Sequence, residues 1–282
     1  MTKYNTHNQE RILDDIEDSY LTNVIAKENL VNSRKFLVSS NVVYQVYFRY
    51  GYISEIEDNC ESHSKCLLSK KQFENIYKRY RGLPASEELI LEKYPNNVCG
   101  YCRTSRAIEI DHYLPQSKFR SYSLIYNNLV PSCHNCNHRK GYDVPLRGIP
   151  WFFHPNFEEV DDKFCLNVEV SNNYKEIIFS IKNPTRDILI ESYDFSLTVL
   201  GIYNEYSRLS NTELVETLQI YHDLKIRKGA NRALRLFQEK KNANARGYNE
   251  LWKRSLYQFL ISNQDFRERG YIQYLKNKNI TL

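Results

Sequence analysis

The sequence predicts an α+β protein. A small ββα unit, clamped by four cysteines, sits between a helical N-terminal part and a mostly helical C-terminal part, with a β-hairpin after the clamp. Three observations predict this. Residues 99–141 hold two Cys-x-x-Cys pairs separated by thirty residues. Segments on both sides repeat apolar residues at helical spacing, and residues 164–181 alternate apolar and polar as strands do. The expected organisation is a helical region over 1–95, a core with its hairpin extension over 96–182, and a helical basic region over 183–282.

In chain order, residues 9–31 carry Ile12, Leu13, Ile16, Tyr20, Val24 and Ile25 at helical spacing, with Asp14, Asp15, Glu17 and Asp18 on other faces, which predicts one amphipathic helix. Residues 42–50 are β-branched and aromatic, read as strand or helix, and stop at Gly51. Ser69 and Gln72 form a capping box ahead of Phe73, Ile76, Tyr77 and Tyr80, and Gly82 and Pro84 end that helix. Ser86 opens a shorter helix that Pro95 closes. Phe164, Leu166, Val168 and Val170 alternate with Cys165, Asn167 and Glu169, and Ile177, Phe179 and Ile181 answer them across a turn at 171–173. From Thr185 the pattern is helical, with a second capping box at Ser210 and Glu213 before Leu214, Leu218 and Tyr221. Leu251, Trp252, Ser255, Leu256 and Phe259 mark a last helix.

Composition narrows the class. At 282 residues and 41% hydrophobic content the chain can bury a sizeable core. The first residues lack an apolar signal core and the longest apolar-rich run, 38–48, is too short to cross a bilayer, so a cytoplasmic protein with no membrane contact is expected. Four of the seven cysteines fall in the two pairs, which in a reducing compartment points to metal binding. Cys60, Cys66 and Cys165 read as buried core residues. The net charge of +5 hides an asymmetry: residues 223–282 carry 14 Lys+Arg against 5 Asp+Glu, whereas the preceding residues carry 25 against 29. A basic tail suits a phosphate backbone or an acidic partner.

The central stretch carries the chemistry. Cys99, Cys102, Cys133 and Cys136 supply four thiolates for a tetrahedral structural Zn²⁺ with no open position, and Gly100, Pro131 and Asn135 are the turn formers such knuckles use. Residues 107–110 predict a strand that delivers Asp111 and His112 at its end. Leu129 and Val130 predict the returning strand, and a helix from around 133–136 to Gly141 puts Asn137 and Lys140 one turn apart on one face. Adjacent strand residues point to opposite faces, so Asp111 and His112 share a site only where the strand ends, which Pro115 favours. Phosphodiester hydrolysis needs a base for water, a cation for the developing charge and a donor for the backbone. His112 suits the base, Asp111 and Asn137 are oxygen ligands for Mg²⁺ (or Mn²⁺), and Lys140 can hold a phosphate oxygen.

The string Cys99-x₂-Cys102, Glu109-Ile-Asp-His112, Asn128-Leu-Val-Pro131 and Cys133-x₂-Cys-Asn137-x₂-Lys-Gly141 resembles an HNH endonuclease with a ββα-metal core. The resemblance implies that His112 is the first H and general base, that Asn128 braces the metal loop, and that Asn137 stands in for the last H. His134 and His138 leave the identity of that ligand open. The wording DHYLPQSKF, YNNLVPSCHNCN and Phe153-His-Pro-Asn-Phe157 extends the resemblance over 95–182 to the PtuB-type HNH nucleases of Septu anti-phage systems, some encoded beside retrons. That family more often has Tyr where Asn156 stands. By resemblance the partners are nucleic acid, an ABC-type ATPase (PtuA-like) and, in retron-associated systems, a retron reverse transcriptase–nucleic-acid complex. The chain has no Gly-x₄-Gly-Lys-Ser/Thr loop, so such an ATPase is a separate protein.

The expected function is therefore a metal-dependent endonuclease of DNA or RNA in a defence complex. Two alternatives stand beside it: a non-catalytic zinc-ribbon adaptor in which Asp111 and His112 are structural, and a stand-alone restriction-type HNH nuclease.

Overall fold

The computed structural model of the protein describes residues 6–19, 28–35, 37–38, 68–91, 93–142, 151–157, 166–181, 188–244 and 251–282. The chain divides into two compact units, 1–159 and 160–282. Tyr20, Val24, Ile25, the 42–50 segment, Cys60, Cys66 and Cys165 lie outside the described residues.

In the first unit, helix α1 (Thr6–Ser19) and helix α2 (28–35) occupy the two ends of the stretch expected as one helix. Arg34 ties them, bridging Asp14 at 2.7 Å and Glu17 at 3.0 Å. Helix α3 (Lys70–Arg81) opens with the expected capping box at Ser69 and Gln72 and closes at Gly82. Helix α4 (Pro84–Leu91) starts two residues before Ser86, because Pro84 takes the first helical position, where a missing N–H costs nothing. Pro95 opens a three-residue 3₁₀ turn instead of closing that helix.

Strands β1 (Glu109–His112) and β2 (Leu129–Ser132) pair antiparallel, with Asp111 opposite Val130 and His112 opposite Leu129. Asp111 and His112 are therefore the last two residues of β1, which ends at His112. Helix α5 (His134–Lys140) follows, and Gly141 ends it at φ +64, a conformation that favours glycine. Ile12, Leu13 and Ile16 of α1, Phe73, Ile76 and Tyr80 of α3, and Ile90 of α4 form one core with Ile110, Leu124 and Leu129. Burying each such side chain contributes about 1.5–3 kcal/mol. A boundary drawn at 95 would cut through this core, and for that reason the N-terminal helices and the ββα element form a single unit.

In the second unit, β3 (Asn167–Val170) and β4 (Ile177–Ser180) form the expected hairpin. Helices α6 (Ile188–Val199), α7 (Ile202–Lys228), α8 (Ala230–Ala243), α9 (Leu251–Ser262) and α10 (Tyr271–Asn277) follow, with a π-helical turn before α10. The hairpin packs on these helices: Phe179 meets Tyr206 of α7 edge-on at 5.7 Å, and the Leu166 N–H donates to Ser255 Oγ of α9 at 3.0 Å. It lies with the C-terminal helices in the second unit, 160–282. The capping box expected at Ser210 does not form. Ser210 is buried mid-helix, and Glu213 accepts from Lys240 and Tyr257 of neighbouring helices, so packing overrides the local signal. No described helix is long and apolar enough to cross a membrane.

Candidate active site

Two turns build the cysteine cluster. The Cys99 N–H donates to Ser105 O at 2.8 Å and Gly100 N–H to Pro131 O at 2.8 Å, which pins the first knuckle to β2. Gly100 is required there, since a Cβ would stand 2.7 Å from the Tyr94 ring and 3.1 Å from Val130. Cys133 caps α5 and Cys136 lies in its first turn. The four sulfurs are buried, unbridged and all within 4.8 Å of one another. Cys102 Sγ and Cys133 Sγ are 3.9 Å apart. A tetrahedral ion with metal–sulfur bonds of about 2.3 Å sets its sulfurs ~3.8 Å apart, while a disulfide needs about 2.05 Å. The donor set fits zinc. Burial pushes the Cys99 thiol up, and hydrogen bonds from the other three sulfurs pull Cys102 down.

Strand β1 then divides its side chains between two faces. Glu109 and Asp111 face α5. Glu109 accepts from Asn137 Nδ2 at 2.6 Å and lies 2.8 Å from His134 Nδ1, and these bonds hold its carboxyl below the usual range. Asp111 accepts from Tyr101 OH and pairs with Lys140 Nζ at 3.0 Å. The Lys140 side chain is 1% exposed and also donates to the His112 carbonyl at 3.0 Å. This is a correction to the expectation that Lys140 holds a phosphate oxygen: its ammonium points inward and is already satisfied.

His112 looks the other way. Its ring meets Tyr77 edge-on at 4.4 Å, and Nε2 lies 3.1 Å from the Ser123 carbonyl. A carbonyl only accepts, so Nε2 carries the proton and Nδ1 the lone pair. Burial lowers the His112 pKa to about 4, the nearby Asp111 charge opposing it, which keeps the imidazole neutral at pH 7.

Asn128 is fully buried and ties the loop after β1. Its Oδ1 accepts from Leu114 N–H at 2.7 Å, and its Nδ2 donates to Leu114 O at 3.2 Å and Tyr122 O at 3.0 Å. The structure thus brings Asp111 to Lys140, and Asn137 and His134 to Glu109, while His112 and Asn128 serve the opposite face. His138 is exposed, its ring 6.0 Å from that of His134.

Sequence reasoning missed several contributors. Glu109 could have been found, since it is two residues before Asp111 and so shares its face. Gln9 could not: from α1 it donates to Leu124 O at 3.0 Å and accepts from Tyr126 N–H at 2.7 Å, bracketing the segment beside Ser123 from more than a hundred residues away. Lys93 donates to the carbonyls of Tyr126 and Leu129 on either side of Asn128. His154 is buried against Tyr113 at 4.2 Å, and its Nδ1 accepts the Asn156 N–H at 3.1 Å, so the Phe153–Phe157 stretch supports the core by packing.

Comparison with known proteins falls on the same stretch. Residues 99–143 match the HNH endonuclease family. The HNH match thus takes in the four cysteines, both strands and α5. The Septu protein PtuB of Bacillus thuringiensis is 36% identical over 59 residues, which cover 19% of this chain and 23% of that relative, under a quarter of its length. No solved structure matches the chain.

Proposed function

We propose that this chain is a metal-dependent endonuclease that hydrolyses phosphodiester bonds of DNA or RNA, acting in the cytoplasm as the effector of an anti-phage defence complex. The observation that carries the reading is the coincidence of the HNH match with a histidine of fixed tautomer. His112 Nδ1 takes the proton from the attacking water, and the Ser123 carbonyl holds the imidazolium that results through Nε2–H. Asn128 keeps the loop that presents Ser123 in register with β1. Glu109, Asp111 and Asn137 are the oxygen donors that would hold Mg²⁺ or Mn²⁺; the amide nitrogen of Asn137 is the atom bonded to Glu109, which leaves Oδ1 for a cation. When bound, that ion supplies charge neutralisation at the scissile phosphate and the leaving oxygen. The cysteines hold the zinc that clamps both knuckles. The PtuB relative supports a place in a Septu-type system; the ABC-type ATPase partner, and the retron complex in retron-associated systems, are what the sequence resemblance implies.

One observation favours the adaptor reading: Asp111 is sealed by Lys140 and Tyr101. The two readings separate on cleavage of supercoiled plasmid and of an RNA transcript with Mg²⁺ or Mn²⁺, by the chain alone and with the ATPase that co-purifies from its native cells. His112→Ala is expected to lower the rate about 10²-fold with zinc content and fold intact. A variant that cuts as fast as the parent removes His112 from the mechanism, and a parent that cuts neither substrate under any of these conditions establishes the adaptor.

A further inference from the structure

We propose that the turn between α7 and α8 is a second nucleic-acid contact, one that grips the phosphate backbone without reading sequence. Five cations, Lys225, Arg227, Lys228, Arg232 and Arg235, fall between Asp223 and Glu239 with no acid among them. Several other cations of the basic tail, and Lys225 itself, are turned inward. Lys240 and Lys253 reach Glu213, Lys241 reaches Gln258, and Arg267 and Lys225 bond main-chain carbonyls. At the turn the other four are not: Arg227, Lys228, Arg232 and Arg235 are exposed, and none has an ion pair or side-chain hydrogen bond among the described residues.

Helix electrostatics explains only half of this cluster. Lys225, Arg227 and Lys228 close α7, where its dipole favours cations. Arg232 sits in the first turn of α8, where the same effect opposes a positive charge, and the helix has no acid there to offset it. Arg232 and Arg235 are three residues apart, about 5–6 Å along one face, so both can reach neighbouring phosphates. Ile226, 70% exposed between the cations, offers apolar contact to sugars. One isoleucine does not make the apolar face that a membrane-surface helix needs. Because the chain carries an HNH match, the polyanion at hand is nucleic acid; the inference rests on the nucleic-acid part of the proposed function.

The test uses the full chain carrying His112→Ala without added Mg²⁺ or Mn²⁺, so that cleavage is suppressed, with a 30-bp DNA duplex and an RNA duplex of equal length as probes, followed by anisotropy across a NaCl series. Replacing Arg227, Lys228, Arg232 and Arg235 by Gln together is expected to weaken binding at least ~10²-fold near 0.1 M salt and to reduce the slope of log K against log salt by about 2–4, at roughly 0.9 per lost phosphate contact on B-DNA. Replacing the three arginines by Lys preserves binding. If the fourfold variant does not fold, Arg232→Gln with Arg235→Gln reads the same effect at about half the slope change. Unchanged affinity and slope, a fourfold variant no weaker than the exposed control pair Arg269→Gln with Lys276→Gln, or a parent that binds neither duplex overturns the proposal. So does loss of a polyglutamate peptide or of anionic vesicles with both duplexes retained. Cleavage is read separately on the chain with His112 intact, with Mg²⁺ or Mn²⁺ present: binding through the turn with no cleavage there overturns the nuclease reading alone, and cleavage there while the turn variants bind normally overturns this proposal alone.

Discussion

Asn128→Ala tests whether one side chain holds the loop beneath His112. The amide serves three main-chain groups, but Tyr122 O keeps the Ile125 N–H at 3.1 Å. Leu114 N–H and Leu114 O have no other partner among the described residues, so two buried groups lose their hydrogen bonds. Each costs at least about 1 kcal/mol, and the space left by the amide adds about 1 more, for a loss of about 3 kcal/mol. With a urea slope of about 2 kcal/mol/M the midpoint falls by roughly 1.5 M. The chain has two tryptophans, and Trp151 lies in the first unit and Trp252 in the second, so a Trp252→Phe background lets fluorescence follow the first unit alone. Asn128→Asp keeps the acceptor for Leu114 N–H but sets a fully buried carboxylate oxygen against the Leu114 and Tyr122 carbonyls, and is expected to lose at least as much as the alanine variant. A midpoint shift of under ~0.3 M for the alanine variant, by the same slope, would show that Asn128 is not what holds the loop.

Three further outcomes are expected. Cys133→Ser breaks the sulfur cluster, and because metal binding in such a knuckle is folding energy, the variant should lose its zinc by elemental analysis and become protease-sensitive; zinc-free parent protein would refute the clamp. Acid should destabilise the first unit, since burial depresses both His112, to about 4, and His154, well below the usual histidine range. Between pH ~6.5 and 4 the unfolded chain binds more protons than the native one, so this contribution is full above ~6.5 and lost as pH falls, and a Trp151 midpoint flat from pH 7 to 4.5 would count against it. Asn137→Ala should raise the Mg²⁺ or Mn²⁺ concentration needed for half-maximal cleavage and Asn137→Asp should partly restore it, while saturating metal leaves the Asn128→Ala defect in place; wild-type metal dependence in Asn137→Ala, with loss of it in His134→Ala, would move the ligand to His134.

What was legible in the sequence was what depends on neighbours in the chain. Ser69 and Gln72 cap α3 because both partners lie within one turn, and the cysteine cluster follows from two short turns whose residues are all adjacent. The Ser210–Glu213 signal has the same local form and fails, because Glu213 has cations and a tyrosine hydroxyl to meet on other helices. Gln9 and Lys93 carried no local signal at all: each acts on backbone carbonyls, which every residue has, at a distance only the fold defines. The hairpin was found by its alternation, but alternation names a buried face and not what buries it. The partner proved to be α7 and α9.

The alternation of β1 also decides what cleavage at this site demands. On one face His112 is already prepared: its proton is placed by Ser123, its charge state set by burial, and its loop fixed by Asn128. On the other face Asp111 is held by Tyr101 and Lys140, and the Asp111 side chain is 7% exposed where Glu109 is 28% exposed. On the proposed mechanism a cation entering from solvent would therefore meet Glu109 and the Asn137 amide first, and would reach Asp111 only by displacing the Lys140 ammonium from its carboxylate. That exchange would substitute one cation for another at a buried carboxylate, so the Coulomb loss on releasing Lys140 would be offset by the incoming dication, leaving as the cost the desolvated lysine with the His112 carbonyl. With His112 as the proposed base, its tautomer and charge state are already set while the carboxylate face is closed by Lys140, which would place the conformational step of the proposed reaction on the α5 side of the strand.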